Sequence, residues 1–135
     1  MVESAAMPLR CVVVTPERAL LDAEVEFVAI PMYDGELGVL PGRAPLIGRL
    51  GPGELRTRHG QETRRFFVDG GFAQVHDNVV TVLTPRALKA EEINPAAAEQ
   101  ALEAAKTAQG GSEERLKNEA RARAQLRLAH LVAPQ

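Results

Sequence analysis

The composition of this chain changes abruptly near residue 90, and the change restricts the fold to a β-rich part followed by a helical part. Before that point lie short runs of β-branched and aromatic residues, LRCVVVT, VEFVAIPM, RRFFVDG, FAQV and VVTVL, each bounded by Gly, Pro, Asp or Asn. Such runs predict strands, and their spacing of about 8–12 residues favours a sandwich or flattened barrel. We therefore expect residues 1–89 to form an antiparallel β-sandwich.

Two short polar or glycine-rich stretches indicate where these strands turn. Asp77 and Asn78 stand between two predicted strands, and both residue types tolerate positive φ, so they predict a tight hairpin turn. Gly70 and Gly71 interrupt RRFFVDGGFAQV and predict a bend or a bulge.

Residues 90–135 are crowded with Ala, Glu, Arg and Leu, which are strong helix formers. Asn94 can cap a first helix, and Pro95 suits its first position. The pair Gly110-Gly111 is expected to end that helix, and Ser112 to cap the next. Such a short connection predicts an antiparallel two-helix hairpin, so the fold class is α+β.

The predicted hairpin has little apolar surface of its own. Alanine faces most of its first helix. Two apolar stripes run along nearly opposite sides of the second helix, and their members are Leu116, Ala120, Ala124, Leu128 and Leu131 on one and Ala122, Leu126 and Ala129 on the other. One stripe is enough to pack against the partner helix, so the other stripe needs a further surface to bury it. We expect the hairpin to dock on something else.

The charge and cysteine content exclude several classes of protein. There are 16 Lys and Arg against 18 Asp and Glu, a formal net charge of −2, which gives no electrostatic argument for a nucleic-acid binder. The single cysteine, Cys11, cannot form an internal disulfide and is expected to be a buried structural thiol.

No apolar stretch approaches the ~20 residues of a membrane span, and MVESAAMPLR lacks the features of a signal peptide. We expect a soluble protein of a reducing compartment that reaches a membrane only through a partner.

The candidate chemical groups do not form a recognisable catalytic or metal site. None of His59, His76 and His130 has a second ligand at metal-binding spacing, so no zinc site is expected. Asp69, just before the glycine pair, is interpreted as a turn residue without a partner. The sequence also lacks G-x-S-x-G, GxxxxGK[ST] and a strand-to-helix GxGxxG, so an enzyme would need a convergent set of groups that is not found.

Three arginines of the second predicted helix leave two interpretations open. Arg121, Arg123 and Arg127 follow Glu119 with no further acid. They can form a solvated face that complements the C-terminal end of the helix dipole. They can equally form a docking surface for an acidic partner, with Leu126 as an apolar anchor.

The stretch DGELGVLPGRAPL is rigid and apolar for a loop, with three glycines, two prolines, an acid at Glu36 and a base at Arg43. Together with the later GPGELR and FFVDGGFAQVHDNVVTVLTPRA, it resembles the epsilon subunit of bacterial and chloroplast F-type ATP synthases. That family shows a GELG-(two residues)-PGHAPL loop, a GG-F-x-x-V step and a closing NVTVL strand. The resemblance covers nearly the whole chain from Leu9.

This resemblance implies a non-catalytic rotor subunit that couples proton transport to ATP synthesis. In the family the sandwich binds the gamma subunit and rests on the ring of c subunits, peripheral to the cytoplasmic face of the bacterial plasma membrane. The loop lies near that ring, so Glu36 and Arg43 are expected to contact it. The family often has His where this chain has Arg43, which alters the charge of that contact.

The resemblance also implies a regulatory hairpin. In the family the helices move between a compact state on the sandwich and an extended state beside gamma. The extended state meets acidic segments of the catalytic alpha and beta subunits and blocks ATP hydrolysis. Arg121, Arg123 and Arg127 are the residues expected to make these inhibitory contacts.

One departure from the family concerns nucleotide. Some bacterial members bind ATP through an I/L-D-x-x-R-A motif, where this chain has INPAAA, Ile93 to Ala98. Asn94 replaces the Asp, Ala97 replaces the Arg, and Gln125 stands where a late arginine is expected, so of the motif only Ile93 and Ala98 match. We therefore expect no cofactor and doubt ATP binding. The alternative reading, an ATP-binding regulatory sensor, would need the lost motif.

Overall fold

The computed structural model describes residues 8–108 and 111–132. Within these residues the chain forms eight strands, a short 3₁₀ turn and two helices. The strands are β1 Leu9–Val14, β2 Ala19–Val25, β3 Phe27–Met32, β4 Gly35–Val39, β5 Leu46–His59, β6 Glu62–His76, β7 Val79–Leu83 and β8 Ala87–Lys89. The turn is Ala90–Glu92, and the helices are α1 Pro95–Thr107 and α2 Ser112–Val132.

The strands form a sheet that folds over on itself. Their order is β2-β1-β7-β6-β5-β3-β4, with β8 beside β6. Among the described strands, β1 and β7 pair in parallel and the other pairs are antiparallel. The long strands β5 and β6 belong to both layers, since the first half of β6 pairs with β8 and the second half with β7. The predicted fold class, a β-sandwich followed by two helices, is confirmed.

The glycine pair of β6 makes the bend between the layers. Gly70 and Gly71 have φ of 81° and 103°, in the region that favours glycine. The register with β5 continues across them, so the feature is a bend without a bulge, within one strand rather than between two. A Cβ on Gly71 would lie 2.1 Å from the carbonyl oxygen of Leu83, which excludes any larger residue there.

The turn between β6 and β7 has the predicted composition and conformation. Asp77 and Asn78 have φ of 51° and 63°, both left-handed, as a two-residue hairpin of type I′ requires. The prediction of a tight turn at these residues is confirmed.

The core between the two layers consists of strand residues. Its fully buried aliphatic members include Leu9, Val13, Val28, Ile30, Leu55, Val68, Val75, Val80 and Val82, with Cys11 among them. Every buried member of this described cluster lies in one of the strands β1 to β8. The sandwich core is therefore complete without a helical side chain.

The first helix begins as predicted. The Oδ1 atom of Asn94 accepts hydrogen bonds from the backbone N–H groups of Ala96 at 2.9 Å and Ala97 at 3.2 Å, and Pro95 is the first helical residue. The helix ends at Thr107, before the predicted Gly110-Gly111 pair. Gly110 and the side chain of Ser112 lie outside the described residues.

The helices dock on the sandwich through α2. Helix α1 packs mainly against α2, and α2 packs against α1, β5, β6 and the 3₁₀ turn. A second buried cluster joins them, consisting of Phe67, Ala90, Ile93, Ala98, Leu128 and Ala129. The expected second surface for the hairpin is therefore the outer face of one sandwich layer.

The apolar stripes of α2 are buried only in part. Leu128 from one stripe and Ala122 and Ala129 from the other are buried, because α2 is covered on two sides. Leu116 and Leu131, at the two ends of the first stripe, are largely exposed, so neither neighbour of α2 covers the whole stripe.

Candidate functional site

The stretch that the sequence marked as a rigid loop is partly a strand. Its first residues form β4, which pairs with β3. A turn follows, in which the N–H of Arg43 donates to the carbonyl oxygen of Leu40 at 3.3 Å. Pro41 fixes φ at the second position and Gly42 has φ of 88° at the third, the pattern of a type II turn.

This turn is tied to a neighbouring turn of the sandwich. The N–H of Gly42 donates to the Oδ1 atom of Asn78 at 2.7 Å. Asn78 belongs to the hairpin between β6 and β7. Two turns that are distant in sequence therefore hold each other at the same end of the sandwich.

The two predicted contact residues of this region, Glu36 and Arg43, lie in different surroundings. Glu36 is exposed on β4, and its Oε2 atom lies 3.5 Å from the Nη1 atom of Arg56 on β5. Arg43 is exposed just after the turn. None of the ion pairs between residues that the structure describes joins Glu36 to Arg43. Beside Glu36 an open groove of about 380 Å³ is lined by Met32, Asp34, Gly35, Leu37 and Leu46.

The three arginines of α2 do not form one free cationic face. The Nε atom of Arg121 donates to Oδ1 of Asp69 on β6 at 2.8 Å. The Nη2 atom of Arg127 donates to Oε1 of Glu54 on β5 at 3.2 Å. Arg123 points away and bonds Glu119 of its own helix at 3.4 Å. The prediction that Asp69 has no partner is wrong, since Arg121 is its partner.

Glu54 is a buried carboxylate that the sequence did not single out. Its side chain is 4% exposed and is bonded by Arg65, with Arg56 and Arg127 also within ion-pair distance. Alternation along β5 directs Glu54 away from the sandwich core that Leu55 enters, and α2 then covers it. The available signal was the lone acid of GELRTR, followed by two arginines, with a further arginine pair in RRFFVDG.

The residues aligned with the nucleotide motif serve the hairpin itself. Ile93 and Ala98 are buried in the cluster beneath α2. The side-chain oxygen of Asn94 is used for the cap of α1, and Ala97 is exposed. Gln125 is partly buried on α2.

The 3₁₀ turn that joins the two parts is fastened to the sandwich. The Oε1 atom of Glu92 accepts from the backbone N–H of Lys89 at 2.9 Å and from Nη2 of Arg18 at 3.0 Å. The Lys89 backbone bond and the Arg18 guanidinium lower the pKa of Glu92 below its usual value, against a smaller opposing effect of desolvation.

The outer face of the other layer carries exposed apolar side chains. Ile47, Phe72 and Leu83 are all more than half exposed, and we call them the apolar face. Phe72 stands opposite Leu83 on β7 and opposite Arg49 on β5, so these side chains point to one side of the sheet. Tyr33 lies beside them, with the guanidinium of Arg49 4.8 Å from its ring centroid. The available sequence signal was the aromatic Phe72 next to the small, inward-facing Ala73, and this face was not among the predicted sites.

Other kinds of site are not found in the part of the chain that the structure describes. No group of three His, Cys, Asp or Glu side chains there could hold a metal ion. No helix within residues 8–108 and 111–132 is long and apolar enough to cross a membrane. Burial raises the pKa of the Cys11 thiol to about 12, which fits the predicted structural role.

Comparison with known proteins identifies the family. The sequence profile described as "ATP synthase, Delta/Epsilon chain, beta-sandwich domain" matches residues 8–90, most of the chain. The chain belongs to the ATP synthase epsilon-chain family. The matched residues are the sandwich with its turn region, apolar face and Glu54.

Curated epsilon chains agree with this assignment. The chain is 66% identical over 82 residues to the ATP synthase epsilon chain of Rhodopirellula baltica, covering 61% of this chain and 64% of that protein. It is 47% identical over 92 residues to the epsilon chain of Pelotomaculum thermopropionicum, covering 68% and 69%. The match thus spans a little under two thirds of the length of the R. baltica relative.

Solved structures share the fold of this epsilon-family chain over both its parts. A chain of the Euglena gracilis mitochondrial ATP synthase, in a structure of its OSCP, F1 and c-ring, superposes with a TM-score of 0.76 and 26% identity, covering 94% of this chain and 82% of that one. A chain from the central stalk and c-ring of the Tetrahymena thermophila mitochondrial ATP synthase superposes with a TM-score of 0.64 at 16% identity, covering 89% and 95%, which is a likeness of fold.

Proposed function

We propose that this chain is a non-catalytic central-stalk subunit of a bacterial F-type ATP synthase. Its sandwich would bind the gamma subunit and rest on the c-subunit ring, so that the complex couples proton transport to ATP synthesis. It would lie at the cytoplasmic face of the plasma membrane and reach the membrane only through the complex. Membership of the epsilon-chain family and the fold shared with a chain of an F1/c-ring structure support this role.

The exposed apolar face is the observation that supports the proposed contact with the gamma subunit. Ile47, Phe72 and Leu83 are large apolar side chains on adjacent strands of a hydrogen-bonded sheet, and water covers them in the isolated chain. A contiguous exposed apolar patch on a rigid support is typical of a protein-binding surface. Tyr33 and Arg49 extend it with residue types that are enriched at interfaces.

The ring contact is proposed for the end of the sandwich that bears the type II turn. Glu36 and Arg43 are exposed there, beside the groove lined by Met32 and Leu46. The bond from Gly42 to Asn78 stiffens this end, and a surface that transmits torque must resist deformation. Exposed ion pairs to the ring would contribute at most about 1 kcal/mol each.

The hairpin is proposed to inhibit ATP hydrolysis when it leaves the sandwich. Arg121 and Arg127 are bonded to acids of the sandwich in the docked form, so undocking of α2 would free both, together with Arg123, for the acidic segments of the alpha and beta subunits. We further propose that ATP does not regulate this step. Asn94 lacks the charge of an Asp, and Ala97 and Gln125 lack a guanidinium for phosphate. Calorimetric titration of the full chain with ATP tests this, and micromolar binding would restore the sensor alternative.

Co-purification with the gamma subunit tests the proposed role. Ile47→Lys with Phe72→Lys should abolish recovery of gamma with the full chain, because two charges then occupy the centre of the apolar face. The matched control is Leu116→Lys, which places a charge on an equally exposed leucine of α2 and should leave recovery unchanged. Normal recovery with the double variant, in a chain that is folded by circular dichroism, would contradict the proposed gamma contact.

A further inference from the structure

Two ion pairs fasten α2 to the sandwich at separate points along the helix. Arg121 meets Asp69 on β6, and Arg127 meets Glu54 on β5. The two arginines are six positions apart in α2, which is about 9 Å along the axis at the usual rise per residue. Pairs at two points fix both the position and the rotation of a helix.

Both acids are held ready for an arginine by the sandwich itself. The backbone N–H of Asp69 donates to the carbonyl oxygen of Arg86 at 3.0 Å, which fixes the chain at the bend of β6. Glu54 is 4% exposed beneath α2, and Arg65 on β6 is its partner from within the sandwich. A buried carboxylate requires such partners, because an unpaired buried charge is strongly unfavourable.

An apolar contact also lies beneath α2. Its buried members from α2 are Leu128 and Ala129, which meet Phe67 and Ala90, with Ala124 and Leu126 partly buried beside them. Burial of large side chains such as Phe67 and Leu128 contributes more free energy than a partly exposed ion pair. The apolar contact therefore supplies most of the docking free energy, and the two ion pairs add a part that depends on charge.

We infer that Asp69 and Glu54 form an intramolecular receptor for Arg121 and Arg127, and that it holds α2 on the sandwich in competition with any acidic protein segment that binds the same arginines. Arg123, which is bonded only within its own helix among the described contacts, takes no part in the receptor. The consequence for hydrolysis, though not the receptor itself, rests on the proposed function.

The test measures the docked fraction of the full chain by energy transfer between two dyes. The dyes are attached to Lys117→Cys on α2 and Gln74→Cys on β6, both exposed positions. Cys11 is fully buried and stays unlabelled. Substitution of the buried Glu54 is expected to destabilise the whole sandwich. The substitutions are therefore made at Asp69 and at the arginines, where the fold should tolerate them.

Asp69→Asn, Arg121→Gln and Arg127→Gln should each lower the ratio of docked to undocked chains by roughly two- to fivefold. Arg123→Gln is the matched control and should leave the ratio unchanged. Exchange of the pair, Asp69→Arg with Arg121→Asp, should restore part of the loss. Raising salt should lower the ratio of the parent and have less effect on the Arg121→Gln, Arg127→Gln double variant.

An unchanged ratio in Asp69→Asn and Arg127→Gln, or an equal loss in Arg123→Gln, would overturn the receptor. In a reconstituted complex, Asp69→Asn frees Arg121 without removing it and should lower ATP hydrolysis. A lower docked ratio with unchanged hydrolysis would leave the receptor in place and overturn the inhibitory role of the hairpin, so the two failures are distinguishable.

Discussion

Asn78 is the residue through which two turns of the sandwich support each other. Its backbone takes φ of 63° in the hairpin between β6 and β7, and its Oδ1 atom accepts from the N–H of Gly42 at 2.7 Å. The first requirement can be met by glycine, and the second requires a side-chain acceptor. Substitutions at this position can therefore separate the backbone requirement from the tie.

We predict that Asn78→Gly lowers the free energy of unfolding by about 1 kcal/mol, the usual value of one such hydrogen bond. The hairpin turn itself should persist, because glycine tolerates positive φ. Hydrogen exchange at the Gly42 amide should become faster, and this is the measurement that reports the tie. Asn78→Asp keeps the acceptor and should protect that amide; equal exchange in both variants would contradict the tie.

Cys11 gives the sandwich a pH dependence with a definite sign. Burial raises the thiol pKa from 9.0 to about 12 in the folded chain. The stabilisation is therefore complete below about pH 9 and is lost as the pH rises towards 12, because the unfolded chain then gains a thiolate that the folded chain cannot. Denaturant melts from pH 8 to 11 should show this decline, and Cys11→Ala should lack it. At pH 8 the folded chain should not react with a thiol reagent.

The residues that sequence could predict are those whose partners are near in the chain. The cap of α1 was predictable because Asn94 bonds the backbone two and three positions ahead. The partners Asp69 and Arg121 are 52 positions apart, and Glu54 and Arg127 are 73 apart. No local sequence pattern predicts such pairs, because their residues meet only when α2 docks on β5 and β6.

At the scale of elements, the 3₁₀ turn Ala90–Glu92 sets the direction in which the chain runs from β8 of the sandwich to the first helix of the hairpin. Glu92 bonds the backbone of Lys89 and the side chain of Arg18, which belongs to the connection between β1 and β2. Ile93 is buried directly after it. The connection between the two parts is therefore an anchored turn rather than a free linker.

We predict that this anchor weakens in acid. The pKa of Glu92 is lowered in the folded chain from an ordinary 4.5, first by the Lys89 backbone bond. Its stabilisation is thus present above that ordinary value and is lost as the pH falls through the lower folded value. Glu92→Gln should remove this step from the acid unfolding curve, whereas Glu91→Gln, its exposed neighbour, should keep it. An identical curve for all three chains would contradict the anchor.

The elements differ in how well their limits could be predicted. Composition indicated β1, β3, β6, β7 and both helices, because β-branched and alanine-rich segments have opposite propensities. No predicted run corresponds to β2, β4, β5 or β8. Strand β6 was predicted as two separate runs, because Gly70 and Gly71 look like an end although a sheet can bend through them. The exposed ends of the α2 stripe, Leu116 and Leu131, were missed for a similar reason, since periodicity does not say where a neighbour stops.

At the scale of the whole molecule, two clusters divide the adjacent Phe66 and Phe67 of β6. Phe66 enters the core between the sandwich layers, and Phe67 lies beneath the hairpin. We predict that a fragment of residues 1–89 folds with Phe67 exposed. Its free energy of unfolding should be roughly 1.5–3 kcal/mol lower than that of the full chain, because this side chain is no longer buried. In the fragment Phe67→Ala should be well tolerated, whereas Phe66→Ala should cost about 3–5 kcal/mol. Denaturant melts followed by circular dichroism measure both, and an unfolded fragment would contradict the division.

The central claim, that the sandwich attaches the chain and the hairpin regulates hydrolysis, is tested most directly by one rate. ATP hydrolysis is measured for a complex lacking this subunit, to which the full chain, the fragment of residues 1–89, or both are added. The full chain should lower the rate. The fragment alone should leave it unchanged and, added in excess, should relieve inhibition by the full chain, because both occupy the same site on gamma. Inhibition by the fragment alone, or failure of excess fragment to relieve it, would contradict the claim.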